Sequence, residues 1–129
     1  MPETEKTTVS RFNLEESGNL KRLGYLFRLS TAGLRALPDF LVIGAQKSGT
    51  TFLFRALEGH PAVRSAIRKE VRFFDLNHLR GVRWYRSHFP VVADRAYPTR
   101  ASKRGWITGE ASPYYLAHPG VPARVRRYV

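Results

Sequence analysis

Residues 1–18 are polar, and their apolar positions follow no period, which marks a loose tail. Order begins after it. Leu20, Leu23, Leu26, Phe27, Leu34 and Leu37 recur at helical spacing among Lys21, Arg22, Arg28 and Arg35. That pattern predicts a basic amphipathic helix, interrupted around Ser30–Gly33, whose apolar side packs on the flank of a domain. A membrane surface or a partner is the rival occupant of that face. Phe40–Ile43 is a continuous apolar run of strand length, as a central parallel strand requires. Thr50–Leu57 reads as the following helix, stopped near Gly59-His60-Pro61.

Further along, Lys69–Phe74 reads as a short extended piece. Residues 78–88 read as a helix with Leu79, Val82, Tyr85 and Phe89 on one side, and 94–105 as a basic, proline-containing loop. Trp106–Gly109 predicts a second buried strand that leads into a Ser112-Pro113 turn. Val121, Val125 and Val129 lie at helical spacing, with Arg124, Arg126 and Arg127 outside. Strands alternating with helices imply a parallel sheet with crossovers, hence an α/β fold. Residues 1–37 then form a tail and an amphipathic helix, and residues 38–129 the domain.

Composition narrows the classes. The chain has 129 residues, 43% of them hydrophobic and 12% aromatic, enough for one domain with a core and too apolar for a disordered chain. It has no cysteine, which excludes disulfides and thiolate chemistry. No apolar run is long enough to span a bilayer, and Met1–Lys6 lacks a signal pattern, so the expected location is cytoplasmic. His60, His78, His88 and His118 show no metal-ligand spacing, and no metal is expected.

The net charge is +12, and between Pro61 and Arg104 the acids are only Glu70, Asp75 and Asp94. Such an excess solubilises a surface or draws in an anionic cofactor or substrate. A nucleic-acid partner is not expected, because no helix-turn-helix, zinc knuckle or repeated strand aromatics accompany the charge.

The chemistry centres on Gly44-Ala45-Gln46-Lys47-Ser48-Gly49-Thr50-Thr51, a glycine-bracketed turn between a predicted strand and a predicted helix. Backbone amides in such a turn converge with the positive end of the helix dipole, and together they hold a phosphate. Gly44 and Gly49 have the spacing of a triphosphate loop, but Thr50 stands where that loop needs its lysine, and Lys47 lies inside. The magnesium-binding Ser/Thr that follows the lysine is missing too. A dinucleotide fingerprint fails because Ala45 and Gln46 follow Gly44. An anion loop of another kind remains.

That loop resembles the 5′-phosphosulfate loop of sulfotransferases that use 3′-phosphoadenosine 5′-phosphosulfate, in the branch that includes carbohydrate and heparan-type enzymes and their bacterial relatives. Lys69-Glu70-Val71-Arg72-Phe73-Phe74-Asp75 is similar to the family's catalytic-base segment. Gly109-Glu110-Ala111-Ser112-Pro113-Tyr114-Tyr115 is similar to its glycine-glutamate-x-Ser/Thr-Pro segment, and 84–90 matches its style. The resemblance runs from Pro38 to the C-terminus. It implies a P-loop-like three-layer fold and sulfuryl transfer from that donor to a hydroxyl or amine of a carbohydrate, lipid or small metabolite, without a metal. The rival reading is a noncatalytic anion-binding module.

By that resemblance Gln46, Lys47, Ser48, Gly49, Thr50 and Thr51 hold the 5′-phosphate, Lys47 reaches the bridging oxygen, and Glu70 takes the acceptor's proton. Lys69, Arg72, Asp75, Trp84, Tyr85, Arg86, Glu110 and Ser112 are the candidate substrate contacts. The aromatic faces among them suit a sugar ring, and the arginines a sulfate or carboxylate. Glu110 and Ser112 sit at a predicted strand end, where α/β proteins bind ligands.

Two departures from the family pattern bear on the acceptor and the donor. Arg72 stands where the heparan-type branch often has His, and Ala111 where it often has Lys, so a heparan acceptor is not carried over. The family's catalytic domain is about twice as long, and its later half supplies the Arg/Ser pair for the 3′-phosphate. The expectation is therefore the N-terminal half of the domain, with weak donor binding and poor turnover by this chain alone.

Overall fold

The computed structural model describes residues 18–129, so the predicted tail falls almost wholly outside the described residues. Helix α1 covers residues 18–30 and gives way to a 3-10 turn at Ala32–Leu34, at the predicted interruption. The hydroxyls of Ser30 and Thr31 bond back to the Phe27 carbonyl at 2.9 and 2.8 Å, a local competition that helps end a helix.

Which side of α1 packs differs from expectation. Leu20, Leu23, Leu26 and Phe27 are exposed, while Leu29 meets the core and Arg28 bonds the carbonyls of Ser87 and Phe89 at 2.6 and 3.0 Å. Arg35 adds a bond of 2.9 Å to the same Phe89 carbonyl. The carbonyls at the end of the 81–89 segment need donors, and these arginines supply them, so the guanidinium side of α1 faces the fold.

Strands β1 (Phe40–Val42) and β2 (Gly109–Ala111) pair in parallel, with Phe40 opposite Gly109, Leu41 opposite Glu110 and Val42 opposite Ala111. The fold is thus mixed α/β with a small parallel sheet, two-stranded among the described residues. β2 is buried throughout. β1 is half-buried and Ile43 exposed, because β1 has a single strand neighbour in the sheet, which corrects the expectation of a buried strand there. β2 also begins at the end of the predicted Trp106–Gly109 strand. Gly109 is required where it stands, since a Cβ would lie 2.5 Å from the Phe40 ring.

Helices α2 (Thr50–Glu58), α3 (Gly81–Arg86) and α4 (Val121–Tyr128) complete the frame. α2 ends at Gly59, as predicted. The predicted 78–88 helix is split into a 3-10 turn at His78–Arg80 and α3, by Gly81 at φ 79°, and Leu79 is left fully exposed. The core is aromatic. Phe73 stacks on Tyr85 with ring centroids 4.3 Å apart, and Phe74 meets Tyr85 and Tyr115 edge-on at 5.2 and 5.5 Å. Among the described residues no helix is long and apolar enough to cross a membrane.

Candidate active site

The chain leaves β1 at its carboxyl end, crosses the glycine-bracketed loop and enters α2. Gly49 takes φ 78° at the helix boundary, a conformation that favours glycine, and its carbonyl accepts the Leu53 amide at 3.0 Å. The amides that open α2 are those a helix leaves without an intrahelical carbonyl, and the helix dipole adds positive potential there.

Gln46, Lys47, Gly49, Thr50 and Thr51 form one wall of a cleft of about 240 Å³. Glu70, Pro113 and Tyr114 form the other. Five of the six predicted anion-loop residues therefore meet the predicted base across one space. Ser48 is exposed and bonds the Gln46 carbonyl at 3.3 Å.

Lys69 ties the two walls together. Its Nζ donates to Thr51 Oγ1 at 2.5 Å and lies 3.8 Å from Glu70 Oε1. The Glu70 side chain is 40% exposed, so a solvent-borne acceptor can reach it. Arg72 stands behind, with its guanidinium 4.0 Å from the centre of the Tyr114 ring and 2.6 Å from Asp75 Oδ2. Asp75 is consumed by that pair and by the Leu76 amide at 2.8 Å, and its side chain is almost wholly buried. Asp75 thus holds Arg72 and does not open into the cleft.

The backbone here departs from the extended piece expected over Lys69–Phe74. Glu70 and Arg72 take φ of 57° and 54°, and Lys47 on the facing wall takes 57°. Non-glycine residues in this region carry strain of order 1–3 kcal/mol each, retained where the surroundings over-determine them and concentrated at functional sites. Two of the three line the cleft and the third braces it. The tertiary reason is visible at Glu70, whose amide bonds the Ala111 carbonyl of β2 at 3.1 Å.

No protein-family profile matches the chain. Over 92 residues, 71% of the chain, it is 36% identical to the membrane-associated sulfotransferase kil1 of Dictyostelium discoideum, of which the match covers 18%. It is 36% identical over 79% of its length to human heparan sulfate glucosamine 3-O-sulfotransferase 3A1, covering 22% of that protein. To human heparan sulfate glucosamine 3-O-sulfotransferase 6 it is 38% identical over 74% of its length, covering 25%. The chain belongs to the sulfotransferase family. This sulfotransferase chain spans about a fifth to a quarter of the length of the curated relatives it matches.

Other predicted contacts of the sulfotransferase chain lie away from the cleft. Trp84 and Tyr85 are buried in the aromatic core, and Arg86 donates to the Arg35 carbonyl at 2.8 Å. Glu110 and Ser112 are wholly buried beneath the site. Burial, first of all, pushes the Glu110 carboxyl above its ordinary value, with hydroxyls of Tyr85, Ser112 and Tyr115 drawing it part-way back. Sequence reasoning missed Tyr114 as a wall of the cleft and Tyr115 as a partner of Glu110. The adjacent Ser112-Pro113 turn was the available signal, since it returns the chain across the end of β2.

Proposed function

We propose that this chain builds the phosphosulfate-binding and proton-accepting part of a sulfotransferase site. The protein carrying it moves a sulfuryl group from 3′-phosphoadenosine 5′-phosphosulfate to an acceptor hydroxyl or amine. The observation that carries this reading is the single cleft shared by the Gln46–Thr51 wall and Glu70. Its volume of about 240 Å³ is smaller than the ~300–1,000 Å³ of pockets that enclose a whole drug-sized ligand, and suits the phosphosulfate end of the donor.

In this reading the α2 amides and the hydroxyl of Thr50 hold the 5′-phosphate, and Lys69 keeps Thr51 in place beside them. Glu70 takes the proton from the acceptor, whose oxygen or nitrogen bonds to sulfur as the bond from sulfur to the phosphate oxygen breaks. Lys47 meets the charge that develops on that leaving oxygen. As in phosphoryl transfer, positioning and charge stabilisation supply the rate.

A carbohydrate acceptor is favoured, because two of the relatives carry heparan sulfate glucosamine in their names. Tyr114, exposed at the rim with Arg72 behind it, offers a face for a sugar ring. The β1–loop–α2 unit further fits a P-loop-like three-layer arrangement.

Calorimetric titration of the chain with 3′-phosphoadenosine 5′-phosphate tests the loop. Saturable binding is expected, weakened about tenfold or more by Lys47→Ala, the loss of one charge-assisted contact to phosphate. No heat of binding at millimolar ligand, or equal affinity in the variant, would sink the assignment.

A further inference from the structure

Glu110 is wholly buried, and the chemistry above makes no use of it. Its two oxygens take three hydroxyl donors. Tyr85 Oη and Tyr115 Oη donate to Oε1 at 2.6 and 2.9 Å, and Ser112 Oγ donates to Oε2 at 2.9 Å. Two of these hydroxyls are used twice. Ser112 Oγ accepts the Arg72 amide at 3.1 Å, and Tyr115 Oη accepts the Phe74 amide at 3.3 Å. The Glu70 amide reaches the Ala111 carbonyl at 3.1 Å. Alternate amides at 70, 72 and 74 therefore land in order on residues 111, 112 and 115.

The two Glu110 oxygens take the Ser112 and Tyr115 hydrogens, which leaves the lone pairs of those hydroxyls facing the Arg72 and Phe74 amides. Each hydroxyl is polarised from both sides, and both of its bonds gain. The segment so held includes the two left-handed residues Glu70 and Arg72, a backbone that persists only where its surroundings dictate it.

We propose that Glu110 is a positioning residue for Glu70. Through the Ser112 and Tyr115 hydroxyls it fixes the 70–74 turn that aims the Glu70 carboxylate at the phosphate loop, a role that rests on the reading of Glu70 as the base. The donor-binding wall hangs from β1 and α2, outside the 70–74 segment that this relay holds.

Amide hydrogen exchange, resolved by residue in NMR spectra of the whole chain, separates this role from general stabilisation. Ser112→Ala is expected to speed exchange at Arg72 about tenfold relative to β1 amides and to leave Phe74 little changed, as the loss of one hydrogen bond predicts. Tyr115→Phe does the reverse, and Glu110→Gln loosens Glu70, Arg72 and Phe74 together. A uniform acceleration across β1, the core and the turn, or no change at Arg72 and Phe74, would overturn the proposal.

Should Glu110→Gln fail to fold, the other two variants still decide, because each leaves the carboxylate two hydroxyl donors. Glu70→Gln removes no link in the relay, so these rates stay within about twofold of the parent. Turnover that survives Glu70→Gln would refute the base and leave the relay standing. Unchanged exchange in Ser112→Ala and Tyr115→Phe would refute the relay and leave the base standing.

Discussion

Tyr85→Phe isolates one buried hydrogen bond with little else disturbed. The tyrosine ring stacks on Phe73 at 4.3 Å and meets Phe74 and Phe89 edge-on at 5.2 and 5.0 Å, and phenylalanine keeps all three contacts. What is lost is the hydroxyl that donates to Glu110 at 2.6 Å, between side chains that are both wholly buried. A buried hydrogen bond contributes about 0.5–1.5 kcal/mol, and a buried acceptor left without its donor costs about 1–3 kcal/mol. The expected loss is about 2 kcal/mol, which for a chain of 129 residues lowers the melting temperature by roughly 6–10 °C. Urea unfolding followed by fluorescence of Trp84 and Trp106 measures it, and an unchanged m-value shows that the folded surface is the same. Tyr114→Phe is the control, since that side chain is exposed and should stay within about 0.5 kcal/mol of the parent. A Tyr85→Phe loss below about 0.5 kcal/mol, no larger than the control, would refute the buried carboxylate hub.

Three further outcomes follow from the same geometry. Glu70→Gln should lower kcat about 10²–10⁴-fold in the protein that carries this chain, with donor affinity unchanged, and undiminished turnover would remove Glu70 as the base. Gly109→Ala forces a methyl to within 2.5 Å of the Phe40 ring and should cost about 1–3 kcal/mol in thermal unfolding, whereas an unchanged melt would contradict the β1–β2 register. Because burial raises the Glu110 carboxyl, the folded chain keeps a proton that the unfolded chain gives up above the ordinary glutamate range, so stability falls as pH rises from there through the folded value. Tyr85 and Tyr115, which face Glu110 and are pushed upward by burial first and its charge second, keep their protons in that window. The stability of the parent minus that of Glu110→Gln should therefore decline as pH rises above the ordinary glutamate range, and a flat difference would refute the shift.

The parts of the site that sequence made legible are those whose causes are local. Phe40–Val42, the two glycines and the Thr50 helix start each act within a few residues, and they put Lys47 and Thr51 on one wall of the cleft. The base segment shows the limit of that reasoning. Nothing in Lys69–Phe74 calls for φ near +55° at a glutamate and an arginine, because neither residue prefers it. The turn is imposed by the Ala111 carbonyl and the Ser112 and Tyr115 hydroxyls, which lie some forty residues later. Trp106–Thr108 failed as a strand for a similar reason. The Trp106 indole nitrogen is held by Asp94 at 3.2 Å with the Arg64 guanidinium 4.7 Å from its ring, and Ile107 bridges to Val63, so the apolar run is spent on other neighbours and pairing with β1 starts at Gly109. Tyr85 and Glu110 are twenty-five positions apart and share no pattern, yet their 2.6 Å contact ties α3 to the strand beneath the cleft. A buried acid among hydroxyls reads in sequence as a ligand-facing acid. Only its packing distinguishes the two, and that packing makes Glu110 the support on which the exposed Glu70 depends.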